Sequence, residues 1–98
     1  MEAYSAPVWV RYEASMPVIV LYSNSTPLGE AISVTVSAPL HSESISYQWE
    51  NELGAISGAT NAEYTPTATG NYRCVVTNTY KGTRKSVSSE WISIIPVN

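Results

Sequence analysis

The clearest strand in the sequence is Asn71-Tyr72-Arg73-Cys74-Val75-Val76-Thr77-Asn78. Tyr72, Cys74 and Val76 fall on one face of it, because successive side chains of a strand point to opposite faces. A second stretch, Ile45-Ser46-Tyr47-Gln48-Trp49, alternates in the same way earlier in the chain. Each stretch places large apolar side chains on one face and polar ones on the other. The two stretches therefore predict half-buried strands that share one core.

The rest of the chain has the same character. Charged residues make up 13% of the sequence and hydrophobic residues 44%, a balance that favours an ordered domain. Further segments that predict strands, each bounded by Gly, Pro or Ser, are 8–12, 18–22, 32–36, 63–65 and 86–95. Residues 23–29 are rich in turn formers, and no window has a helical period. The pattern predicts an all-β fold, a sandwich of about seven antiparallel strands.

The last predicted strand contains a reversal of phase. Val87 places one set of alternate residues inward, whereas Ile92 and Ile94 place the opposite set inward. One extra residue, a bulge near Ser88-Ser89, would let all three face the core and would turn Trp91 outward. The alternative is a regular strand in which Trp91 covers the end of the core.

Charge and length exclude several classes of protein. The 98 residues fit one domain, and the net charge of −3 with a pI near 4.9 predicts no nucleic-acid partner. No apolar run reaches the length of a membrane span, and the first residues do not form a signal peptide. Cys74 is the single cysteine, so an internal disulfide is excluded. The basic cluster Lys81, Arg84 and Lys85 predicts a solvated hairpin tip.

The chain offers little for catalysis. Its one histidine, His41, falls in a predicted loop, and Cys74 falls in a predicted core strand, so a nucleophile–base pair is not expected. Zinc would need about four His or Cys ligands. Glu50 and Glu52 form the one close pair of carboxylates, which predicts a solvated strand end. We expect no enzymatic activity, no metal and no cofactor.

Four motifs in order resemble those of a known family. They are Ile45-Ser-Tyr-Gln-Trp49, Ala55-Ile-Ser-Gly-Ala-Thr60, Tyr64-Thr-Pro66 and Gly70-Asn-Tyr-Arg-Cys-Val-Val-Thr-Asn78. Over about residues 17–95 the chain resembles the bacterial and phage immunoglobulin-like domains. The resemblance implies an immunoglobulin-like β-sandwich over 17–98, with Trp49 buried against Cys74 and against Val34 or Val36. It also implies a tyrosine corner, in which the Tyr72 hydroxyl bonds backbone near residues 67–70.

Residues 1–16 fall outside this resemblance, and they can be an added strand, a linker remnant or an anchoring arm. Their strand-like, aromatic composition favours an arm that adds to a partner's sheet or groove. The predicted partner-binding residues are aromatic or apolar and are not needed for one small core. They are Val8, Trp9, Val10, Tyr12, Tyr80 and Trp91.

For function, the resemblance favours a non-enzymatic structural or binding module on the surface of a bacteriophage virion. A capsid decoration or tail-surface protein of this kind attaches to a protein partner in a larger assembly and can make weak contact with cell-surface glycans. One alternative is a module of a bacterial surface or adhesion protein, located at the cell surface. Another is a carbohydrate-binding accessory domain, in which Trp9, Trp91 or Tyr80 stacks on sugars.

Overall fold

The computed structural model describes residues 14–21, 23–37 and 41–97, which form ten strands and no helix, so the all-β prediction is confirmed. The strands are β1 (Val18–Val20), β2 (Ser25–Pro27), β3 (Ile32–Ser33), β4 (Thr35–Ser37), β5 (Ser44–Asn51), β6 (Gly54–Ala55), β7 (Glu63–Tyr64), β8 (Gly70–Tyr80), β9 (Thr83–Ser88) and β10 (Ile92–Ile95). The predicted strand over 8–12 lies outside the described residues.

Strand β8 is the longest strand and organises the larger sheet. It pairs antiparallel with β5 on one side, and with β9 and then β10 on the other. The sheet runs in the order β2-β10-β8-β5-β6, with β9 joined to β8. Because Trp49 stands directly opposite Cys74 in this register, their side chains share the inward face of the sheet.

Four short strands form two smaller antiparallel sheets. Strand β1 pairs with β4, and β3 pairs with β7. The chain changes its pairing partner at Val34, whose N–H donates to the carbonyl of Ala62 at 3.1 Å. The one strand predicted over 32–36 is therefore divided, because its two halves bond to different neighbours.

One buried cluster lies between the larger sheet and the smaller ones. Trp49, Cys74 and Val76 are fully buried, as the sequence predicts for Trp49 and Cys74. The residues of this buried cluster come from the small sheets, the larger sheet and the connecting loops. They are Ile32, Val34, Trp49, Ala59, Tyr72, Cys74, Val76, Ile92 and Ile94. The indole Nε1 of Trp49 donates to the carbonyl of Asn61 at 2.8 Å, so the largest core side chain buries no unpaired donor.

The predicted bulge is confirmed. Val75 pairs with Ser88 and Tyr72 pairs with Ile92, so two residues of β8 face three residues between β9 and β10. Ser89, the first of these three, is buried; its N–H donates to the Cys74 carbonyl at 2.8 Å, and its hydroxyl accepts from the Cys74 N–H at 2.9 Å. The extra residue places Ile92 in the core and leaves Trp91 exposed.

The turn-rich segment 23–29 differs from its prediction, because it contains β2. This strand pairs parallel with β10, from Ser25 opposite Ser93 to Pro27 opposite Ile95. Pro27 lacks an N–H, and β2 is an edge strand, where proline costs no ladder hydrogen bond. The described residues form ten strands because β2 and the short β6 are added and because two predicted strands, 32–36 and 86–95, are each divided in two. One of the strand pairs among them, β2 with β10, is parallel.

Candidate functional site

Of the predicted site residues, the structure describes Tyr80 and Trp91, and these two lie apart. Val8, Trp9, Val10 and Tyr12 lie outside the described residues. Tyr80 ends β8, whereas Trp91 lies beside Arg73, seven positions earlier on that strand. At roughly 3.3 Å per residue, Arg73 and Tyr80 are about 23 Å apart along the backbone of this strand.

Tyr80 belongs to a cluster at the β8–β9 hairpin. Its ring stacks on His41, with centroids 5.0 Å apart, and the Lys81 ammonium lies 5.6 Å from the Tyr80 centroid. The turn residues Lys81 and Gly82 both have positive φ, 48° and 80°, as a tight two-residue hairpin requires. The basic cluster therefore lies at a hairpin, as predicted, and Tyr80 is half-buried there.

The same end of the molecule fixes the start of the described chain. The N–H of Ala14 donates to the Thr83 hydroxyl at 2.7 Å, and Ala14 is buried. The side-chain amide of Asn78 donates to the carbonyls of Ser15 and of His41, each at 2.9 Å. Asn78 is fully buried, and its two hydrogen bonds connect β8 to Ser15 and to His41, which are distant from it in sequence. The sequence does not predict these hydrogen bonds, because the three positions share no local pattern.

Exposed apolar side chains lie just before β1 and on its outer face. Met16, Val18 and Val20 are 57%, 58% and 44% exposed, and we call these three residues the β1 stripe. A groove of about 450 Å³ opens beside it, lined by Ile19, Val20, Leu21, Val87, Ser88, Ser89 and Glu90. The sequence did not indicate this surface, because the run over 18–22 is typical of a strand buried on both faces.

Trp91 lies at the centre of a second surface. It is 42% exposed, and the Arg73 guanidinium lies over its ring, with Cζ 4.6 Å from the centroid. Arg73 is held in turn by Glu50, with Nε and Oε1 3.0 Å apart. Next to this pair, the Asn71 amide donates to Glu52 at 2.8 Å, and the Ser93 hydroxyl donates to the Asn71 amide oxygen at 3.2 Å.

The titratable core groups are in their neutral forms at neutral pH. Burial raises the pKa of the Cys74 thiol to about 11, and burial together with the neighbouring Tyr64 raises the pKa of Tyr72. A thiol with so high a pKa is a poor nucleophile at neutral pH. The Tyr72 hydroxyl donates to the Ala68 carbonyl at 2.8 Å, as predicted.

Among the described residues, no group of three or more His, Cys, Asp or Glu side chains is placed to hold a metal ion. Within that same part of the chain, no helix has the length and apolarity needed to cross a membrane. Comparison with protein-family models, with curated proteins and with solved structures gives no match.

Proposed function

We propose that this chain is an immunoglobulin-like binding module without enzymatic activity, and that it attaches to a larger protein assembly, the surface of a bacteriophage virion. The strand connections support the immunoglobulin-like part of the proposal. Strand β1 pairs with β4 in a small sheet, and the next strand, β2, pairs with β10 in the larger sheet. The chain therefore passes from one sheet to the other between β1 and β2. A buried Trp49 opposite Cys74 and the Tyr72–Ala68 hydrogen bond are features of the same fold.

The observation that carries the attachment proposal is the β1 stripe. Three exposed apolar side chains in a row, beside an open groove, are typical of a protein–protein contact. The stripe begins at Met16, two residues after Ala14, and therefore at the end of the arm predicted over residues 1–16. The stripe and the groove therefore form the described part of the proposed attachment surface, and we expect the strand predicted over 8–12 to supply main-chain hydrogen-bonding groups to the partner.

The proposal is tested on particles purified from a culture that carries the gene. We expect the chain in the particle fraction, at a constant ratio to the major coat protein, as measured by quantitative mass spectrometry. Recovery with the cell envelope instead would favour the alternative of a bacterial surface module.

Purified particles that lack the chain then provide a binding assay. We expect the full chain to bind and two variants to bind at least about tenfold more weakly, one lacking residues 1–13 and one carrying Val18→Thr and Val20→Thr. A matched control is Val97→Thr, the same change at an exposed valine that does not line the groove, and it should bind as the full chain does. The melting temperature of every variant is measured. Equal binding by all variants would contradict attachment through this surface.

A further inference from the structure

We propose that the groove between β1 and β9 is filled by residues 8–12 of a second copy of this chain, which add to the free edge of β9 as an extra strand. The inference rests on the attachment surface proposed above, and it names the occupant of the groove in that surface. Met16 and Val18 do not line the groove, so this part of the β1 stripe is left for the larger assembly.

Strand β9 has a free edge. The two-residue turn of the β8–β9 hairpin makes Tyr80 and Thr83 its closing, hydrogen-bonded pair. Because hydrogen-bonded and non-hydrogen-bonded pairs alternate along an antiparallel ladder, Ser86 and Ser88 direct their main-chain N–H and C=O groups away from β8. The Ser89 N–H donates to a carbonyl of β8, as this alternation requires. Among the described residues, no strand pairs with the free side of β9.

Strand addition already occurs once on this side of the sheet. Further along, β2 pairs parallel with β10, which follows β9 on the same side of β8. Strand β1 does not cover β9 in the same way, because it pairs with β4 in another sheet. The two segments meet at the hairpin end, where the Ala14 N–H donates to the Thr83 hydroxyl, and the groove opens between them toward Glu90.

The donated segment matches the groove in polarity and in length. Val8, Val10 and Tyr12 share one face of the predicted strand, and the groove is lined by apolar side chains that include Ile19 and Val87. Five extended residues span about 16 Å, and the six residues of β9 span about 20 Å. The segment can therefore place its apolar face in the groove and its main chain along β9.

Charge sets the direction of the added strand. Of the described residues that line the groove, Glu90 alone is charged, and it is exposed at one end. Arg11 lies on the outward face of the donated segment. In the parallel direction, which β2 takes beside β10, Arg11 reaches the end that carries Glu90. In the antiparallel direction it would lie toward the exposed Arg84 instead.

The segment enters the groove of another copy rather than its own. Ala14 is buried at the hairpin end, so the chain joins the domain at the end far from Glu90. Residues 12–16 contain no Gly, Pro, Asn or Asp, the residue types that most favour a tight reversal. A segment folded back onto its own domain would also run antiparallel to β9, the direction that charge disfavours.

The test measures self-association of the full chain by sedimentation velocity, without particles, from micromolar to millimolar concentration. We expect the wild type to associate as its concentration rises. Arg11→Glu and Glu90→Arg each bring like charges together between identical copies, so each variant alone should associate at least about tenfold more weakly. An equimolar mixture of the two should associate as the wild type does, because each segment then meets a groove of opposite charge.

Ser88→Pro tests the main-chain contact. It removes an N–H that points away from β8, so it leaves the β8–β9 ladder intact and should also weaken association at least about tenfold. Glu63→Arg is the matched control for charge, because Glu63 is exposed and does not line the groove; it should associate as the wild type does. Thermal melts show which variants are folded, and the two charge variants decide the test if Ser88→Pro is not.

Three results would overturn the proposal. They are a wild type that stays monomeric at millimolar concentration, a mixture of the charge variants that associates no better than either alone, and a folded Ser88→Pro that associates as the wild type does. Particle binding is a separate measurement. Self-association without particle attachment contradicts the proposed function alone, and attachment without self-association contradicts this inference alone.

Discussion

Cys74 and Trp49 form the centre of the core. They stand directly opposite each other on β8 and β5, and both are fully buried. The N–H of Cys74 donates to the Ser89 hydroxyl, which ties the cysteine backbone to the bulge. Its side chain lies in the core on the same face as Trp49. The thiol acts as a small apolar side chain, and burial raises its pKa to about 11.

This raised pKa makes stability depend on pH. The pKa of Cys74 rises from an ordinary 9.0 to about 11 on folding, so the contribution to the free energy of unfolding is fully present below pH 9. It is lost as pH rises from 9 to 11, by roughly 2 kcal/mol. We expect urea unfolding of the wild type to show this loss.

Cys74→Val is the comparison, because it removes the titrating group. At pH 8 the variant should be within about 1.5 kcal/mol of the wild type. Its stability should fall less between pH 9 and pH 11, and the difference between the two proteins isolates the thiol, because both retain Tyr72. Parallel pH profiles would show that Cys74 does not ionise on unfolding in this range.

At the level of elements, the bulge between β9 and β10 could be predicted because its cause is local. Val87, Ile92 and Ile94 can share a face only if one residue is inserted, and the inserted residue occurs where it was expected. The pairing of β2 with β10 and the change of partner at Val34 could not be predicted. Both are set by neighbours distant in sequence, and the Ser-Thr-Pro of β2 has no apolar period.

Ser89 is the residue that makes the bulge stable. We expect Ser89→Ala to lower the free energy of unfolding by about 1–3 kcal/mol, because the buried N–H of Cys74 loses its acceptor. The control is Ser88→Ala, at an exposed position of the same segment, which should change stability by less than about 0.5 kcal/mol. Urea unfolding of both variants measures the difference. Equal stabilities would mean that the Cys74 N–H has found another partner.

Across the whole molecule, the two ends of β8 present different chemistry. The hairpin end carries Ala14, His41 and Tyr80, whereas the other end carries Trp91 with Arg73 over its ring. The sequence identified Tyr80 and Trp91 as aromatic residues left over from the core. It could not show that they lie apart, nor that Arg73 orders Trp91, because such contacts depend on the register between strands.

Asn78 connects the hairpin end to the rest of the fold. Its buried amide donates to the carbonyls of Ser15 and His41, which lie 63 and 37 positions away in sequence. We expect Asn78→Ala to lower the free energy of unfolding by about 1–2 kcal/mol, because two carbonyls lose a buried donor while the removal of Oδ1, which has no hydrogen-bond partner among the described residues, offsets part of that cost. The start of β1 should also loosen, since Ser15 then loses its link to β8.

Two measurements on Asn78→Ala separate these effects. Urea unfolding gives the global loss, and hydrogen exchange at residues 15–20 should become faster than that loss alone explains. Asn24→Ala, at an exposed position, is the control and should leave both unchanged within about 0.5 kcal/mol. If exchange over 15–20 changes only in step with global stability, Asn78 stabilises the sheet without a separate effect on the segment that begins at Ser15. The attachment surface would then be positioned by the β1–β4 pairing alone.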